Sequence, residues 1–357
     1  MEYRIKELLE QYKGVDVEEE LNNNKLIVFG AGGSGLRIKT YLESLGHSIS
    51  YFCDNDKKKQ GKVFQDINVI SPKDLASFNK SNYLVCIASE WRYDIAVQLN
   101  NIGIKFLDLF YWYSGWKDHF KASIIKKNID NIHNAYSMLQ DDQSKDVFIS
   151  ILKYRLTLDP SQLIIAKYKQ YDHPLVSLKQ GNAIIDGGAF DGRTTIYFGK
   201  KFKGSYKVFA FEPEKENYDN LVNNVEKYKA ENVVAVPFGL WSKNTTSFIN
   251  TNTRTQQSYF IDKEGDKKID LVSLDSFCLK NNITPGIIKL DVEGSEIEAL
   301  QGSIKVLESK KPNLIICVYH KPTDLWQIPL FLKSLNYKYY IAHHKSSLTE
   351  SVLYCIS

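Results

Sequence analysis

Asp186, Glu212, Asp291 and Glu293 each stand at or just beyond the end of a short apolar run. Asp186-Gly-Gly-Ala-Phe-Asp-Gly192 is a glycine-rich turn between one such run and a helical stretch. Small residues there let a ligand approach the backbone, and a helix start offers N–H groups to a carboxylate or phosphate. The turn alone is a weak signal, because tight connections use the same residues. Glu212 adds to it. It follows Lys207-Val-Phe-Ala-Phe211, lies 26 positions after Asp186, and is succeeded by Pro213, which ends the run. An acid at the end of a second strand accepts hydrogen bonds from both ribose hydroxyls, so the expected ligand is a nucleoside.

Ile287-Ile-Lys-Leu-Asp-Val-Glu-Gly294 carries the other two acids. Spaced two apart on an extended segment, Asp291 and Glu293 face the same side at the carboxyl edge of the sheet. Ligands of open α/β sheets bind there. Two acids in that place can orient a hydroxyl, act as general base or hold a divalent cation. Glu293 has a further option, capping the helix that starts near Ser295. His320 ends the fifth strand at the same edge and is the first candidate for a base. Its structural alternative is a hydrogen-bonded histidine closing the strand. Asp324 either orients His320 or caps the next helix. Asp291, Glu293 and His320 match no recognised metal-ligand spacing, and no metal is expected.

The elements that must position these residues alternate strand and helix. The expected strands are Ala183–Asp186, Lys207–Phe211, Val233–Pro237, Ile287–Asp291 and Leu314–Val318, followed by an antiparallel pair, Tyr337–Ile341 and Val352–Ile356. Helices are expected at Thr194–Lys201, Glu216–Tyr228, Ser295–Glu308 and Asp324–Leu335. This is a doubly wound sheet of five parallel strands with one antiparallel addition at the edge. The polar stretch Asn244–Lys268 reads as a surface hairpin or lid beside the site.

Asp186–Gly192, Ala210-Phe-Glu-Pro213, Leu274-Asp275, Ile288-Lys-Leu-Asp-Val-Glu-Gly-Ser-Glu296 and Tyr319-His-Lys-Pro-Thr-Asp-Leu325 with His343-His344 occur in one order and spacing. In that order they closely resemble the FkbM-type methyltransferases, over about half of the chain. The resemblance implies a class I methyltransferase domain, S-adenosylmethionine as cofactor and an O-methyl transfer to a sugar hydroxyl in surface-glycan or related sugar biosynthesis. It also implies that Asp186–Gly192 faces the methionine end of the cofactor and Glu212 the ribose. The expected cofactor-binding set is Asp186, Gly187, Gly188, Ala189, Phe190, Asp191, Gly192, Glu212, Pro213, Gly239 and Asp291. The expected catalytic set is Asp291, Glu293, His320 and Asp324. Phe190 departs from the family pattern, which more often has Asn there, so that role would pass to Asp191 or Arg193.

A second alternating pattern occupies the first part of the chain. Lys25–Phe29, Ser48–Cys53, Tyr83–Ala88 and Lys105–Leu109 read as strands, with helices over Gly35–Leu45 and Arg92–Asn101. Gly30-Ala-Gly-Gly-Ser-Gly35 is a complete G-x-G-x-x-G, and Asp54 ends the next strand 19 residues beyond Gly35. Gly30, Gly32, Gly33, Gly35 and Asp54 are therefore candidates for binding a dinucleotide or a nucleotide-sugar, and a tight turn without ligand is the bland alternative. The preferred role is a Rossmann-like domain that presents the acceptor. A nucleotide-sugar or NAD-dependent oxidoreductase centred on Gly30–Gly35 is the competing class, and a scaffold that keeps its cofactor only structurally is a third.

The expected domains are a Rossmann-like unit over 1–112, a helical connector over 113–181 and the methyltransferase domain over 182–357. Composition bounds the partners. The net charge is +4, and the longest basic run, Lys57-Lys58-Lys59, lies beside Asp54 and Asp56 as a solvated turn would. A small-molecule or glycan acceptor is expected, and no nucleic acid. Five cysteines show no CxxC spacing, and Cys53, Cys86, Cys317 and Cys355 lie in strand-like runs as buried thiols. Met1–Ile5 has no apolar signal region and no stretch reaches the ~20 apolar residues of a membrane span, so a cytoplasmic protein is expected.

Overall fold

The computed structural model describes residues 3–78, 82–178, 181, 183–202, 206–250, 261–262 and 265–357. The expected boundary at residue 182, and residues 251–260 and 263–264 of the expected lid, lie outside the described residues. The chain forms two compact units. The first comprises 1–133, 145–165 and 345–349; the second comprises 134–144, 166–344 and 350–357. The helices Ala122–Lys127, Ile129–Met138 and Asp142–Thr157 fall within the expected connector, and their residues are divided between the two units.

The first unit is built on six strands, β1 (Lys25–Phe29), β2 (Ile49–Cys53), β3 (Val63–Phe64), β4 (Ile67–Ile70), β5 (Tyr83–Ile87) and β6 (Phe106–Asp108). They run in the order β3-β4-β2-β1-β5-β6, and all pairs are parallel except β3 with β4. The apolar runs bury as expected: Ile27, Phe29, Cys53, Val85 and Ile87 form one cluster with Leu75, Ile95, Ala96 and Leu99 from the helices. The strand pair β3–β4 was not anticipated.

The second unit adds eleven strands: β7 (Ala183–Gly187), β8 (Lys207–Phe211), β9 (Val233–Val236), β10 (Gly239–Leu240), β11 (Thr245–Ile249), β12 (Ile261–Asp262), β13 (Lys267–Val272), β14 (Pro285–Leu290), β15 (Asn313–Cys317), β16 (Lys338–His343) and β17 (Ser351–Ile356). Seven make the main sheet, in the order β16-β17-β15-β14-β7-β8-β9. Strand order reverses between β7 and β14, which opens a crevice at their carboxyl ends. Every residue of β7, β14 and β15 is buried, so these runs carry apolar residues on both faces rather than alternating, with Asp186, Lys289 and Asn313 as buried polar exceptions. The antiparallel strand β17 lies inside the sheet against β15, and its partner β16 is the edge. The expectation had placed the antiparallel addition at the edge.

The described part of the Asn244–Lys268 segment enters a four-stranded sheet ordered β10-β13-β11-β12, so it is a hairpin anchored beside β8 and β9 in sequence. The single helix expected over Ser295–Glu308 is two, Glu296–Gln301 and Ile304–Lys310. The break falls at Gly302, where a Cβ would stand 1.9 Å from the Trp241 carbonyl oxygen. All five cysteines are free and buried. Among the described residues, no helix is long and apolar enough to cross a membrane.

Candidate active site

A cleft of about 340 Å³ opens at the carboxyl ends of β7, β8 and β14. Gly188, Ala189, Phe190, Asp191, Glu212, Pro213, Gly239 and Asp291 of the expected cofactor set line it, as does Glu293. Asp186, Gly187 and Gly192 do not; they stand behind the lining. Neither His320 nor Asp324 reaches it.

The glycine turn folds so that backbone meets backbone. Gly188 has φ 75°, a left-handed conformation, and a Cβ there would fall 1.8 Å from the Asp291 carbonyl oxygen. Only glycine lets the turn after β7 lie against the segment after β14, which is what brings the two motifs to one cleft. Phe190 is also left-handed, at φ 50°. Asn adopts that region more readily than Phe, so the departure from the family residue carries backbone strain of roughly 1–2 kcal/mol. The contribution of this residue to the site is its N–H, which donates to Glu212 Oε2 at 2.9 Å.

Glu212 is buried and its other oxygen accepts from the Glu214 N–H at 3.0 Å. A carboxylate has about four acceptor positions, and with the Asn217 side chain also bonded to it, one remains for a ligand hydroxyl. Burial pushes its carboxyl up to about 7, against the pull of the Glu214 and Phe190 amides.

Asp186 is fully buried and serves the turn from beneath. Its Oδ1 lies 2.9 Å from the Lys289 ammonium, itself 2% exposed near the carboxyl end of β14. Lys289 also donates to the carbonyls of Gly188 at 2.8 Å and Gly187 at 3.2 Å. Burial opposes the charge of Lys289, but Asp186 and Asp291 outweigh it and hold the ammonium above the ordinary lysine range. Lys289 lies within the Ile288–Glu296 motif, but its role depends on Asp186, far away in sequence. A lysine in a strand of otherwise apolar residues was the available signal.

Asp291 and Glu293 converge, though not by strand alternation. The strand β14 ends at Leu290, and Glu293 turns into a left-handed conformation at φ 51°. Glu293 does not cap the following helix, whose N-cap position is Ser295. His320 Nε2 lies 3.4 Å from both Asp291 Oδ1 and Glu293 Oε2. Its Nδ1 is 2.8 Å from Glu296 Oε1, and that oxygen also accepts the Val292 N–H at 3.0 Å. Glu296 thus orients His320, the role that was one of two alternatives for Asp324. Asp324 instead accepts the Lys321 N–H at 2.6 Å at the first turn of its own helix, and burial beside Glu296 pushes it up to about 7.

Burial disfavours a charged His320, but Glu296, Glu293 and Asp291 push it up to about 10. A histidine held protonated cannot accept a proton at neutral pH. Asp291 differs: burial opposes its charge, yet Lys289 and His320 keep it below the usual carboxylate range. Tyr319 donates to its Oδ1 at 3.2 Å and Tyr171 to its Oδ2 at 3.3 Å. Tyr171 and Glu350 were not foreseen, since both come from segments outside the motifs. Glu350 lines the cleft from just before β17, at φ 75°.

In the first unit, Gly30 and Asp54 line a separate cleft of about 410 Å³ with Asn55, Ser89, Trp91 and Asp94. Gly32, Gly33 and Gly35 are not in its lining. Asp54 Oδ2 accepts from the Ala31 N–H at 2.8 Å and pairs with Lys59 at 2.9 Å. The carboxylate therefore closes the glycine turn onto its own loop.

The main sheet, with its order reversal and acid-rimmed cleft, defines a doubly wound α/β fold of the methyltransferase kind. Residues 186–339, which lie within the second unit, match the family model described as Methyltransferase FkbM domain. Residues 22–106 match the model described as C2185-like, N-terminal. A hexuronic acid methyltransferase, AglP, from Haloferax volcanii is 30% identical over 119 residues, which are 33% of this chain and 48% of the relative. The chain thus spans about half the length of that curated relative. The crystal structure of Methyltransferase FkbM from Methylobacillus flagellatus KT has a similar fold, with a TM-score of 0.72 at 19% identity, over 99% of this chain and 93% of that one.

Proposed function

We propose that the second unit is an S-adenosylmethionine-dependent O-methyltransferase acting on a sugar hydroxyl. The observation that carries the reading is one cleft holding a nucleoside-type acid, Glu212, and a hydroxyl-orienting pair, Asp291 and Glu293. The residues fit the cofactor. Glu212 retains an acceptor position for a ribose hydroxyl, and the glycine turn admits backbone-close contact at the methionine end.

When bound, the cofactor supplies an electrophilic methyl carbon on a sulfonium. The protein has to place the acceptor hydroxyl in line with it and take the proton. The carboxylates lining the cleft, Asp291 and Glu293, suit that task, while His320 and Glu296 stand behind as a charged pair that positions them. The sugar acceptor is supported by the hexuronic acid methyltransferase relative. For the first unit, the cleft at Gly30 and Asp54 supports a nucleotide- or acceptor-binding role.

Calorimetric titration with S-adenosylmethionine tests the reading. Binding in the wild type and its loss in Glu212→Ala are expected; equal binding by both proteins overturns the ribose assignment.

A further inference from the structure

The sheet of the first unit has its own order reversal, between β1 and β5, and a crevice opens there at the carboxyl ends of β1, β2 and β5. Its floor is fixed. Asp54 Oδ1 accepts the Asp56 N–H at 2.9 Å and Oδ2 accepts the Ala31 N–H at 2.8 Å, so one carboxylate ties the loop after β1 to the loop after β2. The crevice holds about 410 Å³, and Asn55, Ser89, Trp91 and Asp94 line it further. Trp91 is 72% exposed, yet its backbone is held. Its N–H donates to Ser89 Oγ at 3.2 Å. The next residue, Arg92, is 1% exposed, with its guanidinium carbon 3.9 Å from the centre of the Phe110 ring, and Ile95 one turn on is buried as well. A single exposed indole on a surface is ordinary. One fixed at the mouth of a crevice, at the switch point of a sheet and among hydrogen-bonding side chains, has the make-up of a ligand site.

We infer that this crevice binds a pyranose ring, with Trp91 as the stacking platform and Asp94, Asn55 and Ser89 as partners of the ring hydroxyls. The inference deepens the acceptor-binding role proposed above for the first unit and rests on that role. A pyranose presents C–H groups on its faces and hydroxyls around its rim. It therefore asks for a flat apolar surface on one side and polar groups at the edge. Indole supplies a wide, rigid surface that loses little freedom on binding. Asp94, in the first turn of the helix Arg92–Ile102, brings carboxylate acceptors. Asn55 donates its amide to Gln98 Oε1 at 3.1 Å, which fixes the direction of its carbonyl oxygen. The Ser89 oxygen accepts from Trp91, and its O–H can donate to a sugar oxygen. Preorganised groups of this kind lower the cost of holding a weakly apolar ligand. Such a ring comes from either of two sources, a glycan or a nucleotide-sugar, and the chemistry at Trp91 is common to both.

Saturation-transfer NMR on the full chain tests it, with methyl β-D-glucoside, methyl β-D-galactoside, UDP-glucose, UDP and NAD⁺ as probes. Binding of a glycoside or of UDP-glucose is expected, with the ring C–H protons receiving the strongest transfer. Trp91→Ala is expected to weaken that binding by about tenfold, the usual cost of removing an aromatic anchor, and Trp91→Phe to keep part of it. Unchanged S-adenosylmethionine binding in both variants checks that the second unit is intact. A glycoside that binds as tightly as UDP-glucose supports the inference with a glycan as the source. UDP-glucose binding more tightly than UDP and the glycosides supports it with a nucleotide-sugar. UDP or NAD⁺ binding as tightly as UDP-glucose, with no glycoside bound, overturns the sugar assignment and leaves a nucleotide-binding role for the first unit. Sugar binding that survives Trp91→Ala unchanged overturns the stacking site. No binding by any probe overturns both the inference and the acceptor-binding role.

Discussion

Glu296 Oε1 sits 2.8 Å from His320 Nδ1 and 3.0 Å from the Val292 amide nitrogen, so one buried carboxylate holds both the histidine and the backbone between Asp291 and Glu293. The pair favours the charged form of His320. Its pKa rises from 6.5 in the unfolded chain to about 10 in the fold. A raised histidine contributes stability that is fully present below pH 6.5 and is lost as pH rises through about 10. His320→Gln is therefore expected to destabilise most at pH 6 and progressively less toward pH 10, as read by urea denaturation. A stability difference independent of pH removes the charged-histidine assignment.

Lys289 neutralises Asp186 where both are almost fully buried. Removing one partner leaves an uncompensated charge in the core, which costs roughly 3–5 kcal/mol. Lys289→Met is expected to fall in that range, and the double variant with Asp186→Asn is expected to recover part of the loss. A single variant as stable as wild type contradicts the pairing.

Glu212 titrates where cofactor binding can report it. A hydroxyl donates to the ionised carboxyl, and burial has pushed that carboxyl up to about 7. Donor affinity is therefore expected to fall as pH drops from 8 to 6, because protonation removes the acceptor. Calorimetry across that range measures it. Glu212→Ala, which loses a charge-assisted hydrogen bond of ~1.5–3 kcal/mol, is expected to bind roughly a hundredfold more weakly and without the pH dependence.

Asp291 and Glu293 are the residues proposed for the transfer step. Asp291→Asn and Glu293→Gln are expected to lower kcat by about 10²–10⁴, the usual worth of a general base, with smaller changes in donor binding. Steady-state rates beside calorimetry separate the two effects. Full activity in both variants takes these residues out of the chemistry.

Much of this was legible in the residues themselves. Apolar runs such as Ile287–Leu290 and Leu314–Cys317 are buried on both faces, so their burial and their carboxyl ends followed from pattern alone. Glu212, Asp291 and Glu293 stood at those ends and reached the cleft. What was not legible depended on neighbours distant in sequence. The role of Glu296 required knowing that the helix after β14 packs against the end of β15. Lys289 needed its partner 103 positions away. Glu350 and Tyr171 enter from outside every motif. The strands β3 and β4, of two and four residues, were too short to raise a periodic signal. In the first unit the glycine pattern was read correctly as a turn between strand and helix, but Asp54 turned out to hydrogen-bond that turn.

The central claim is methyl transfer through the Glu212–Asp291 cleft. The most direct measurement supplies S-adenosylmethionine with an isotopically labelled methyl group and follows the label by mass spectrometry in a panel of sugars and nucleotide-sugars. The expected result is a labelled methyl ether formed by the wild type and lost in Glu212→Ala and Asp291→Asn. Donor that neither binds nor is consumed, or label appearing equally with both variants, contradicts the account.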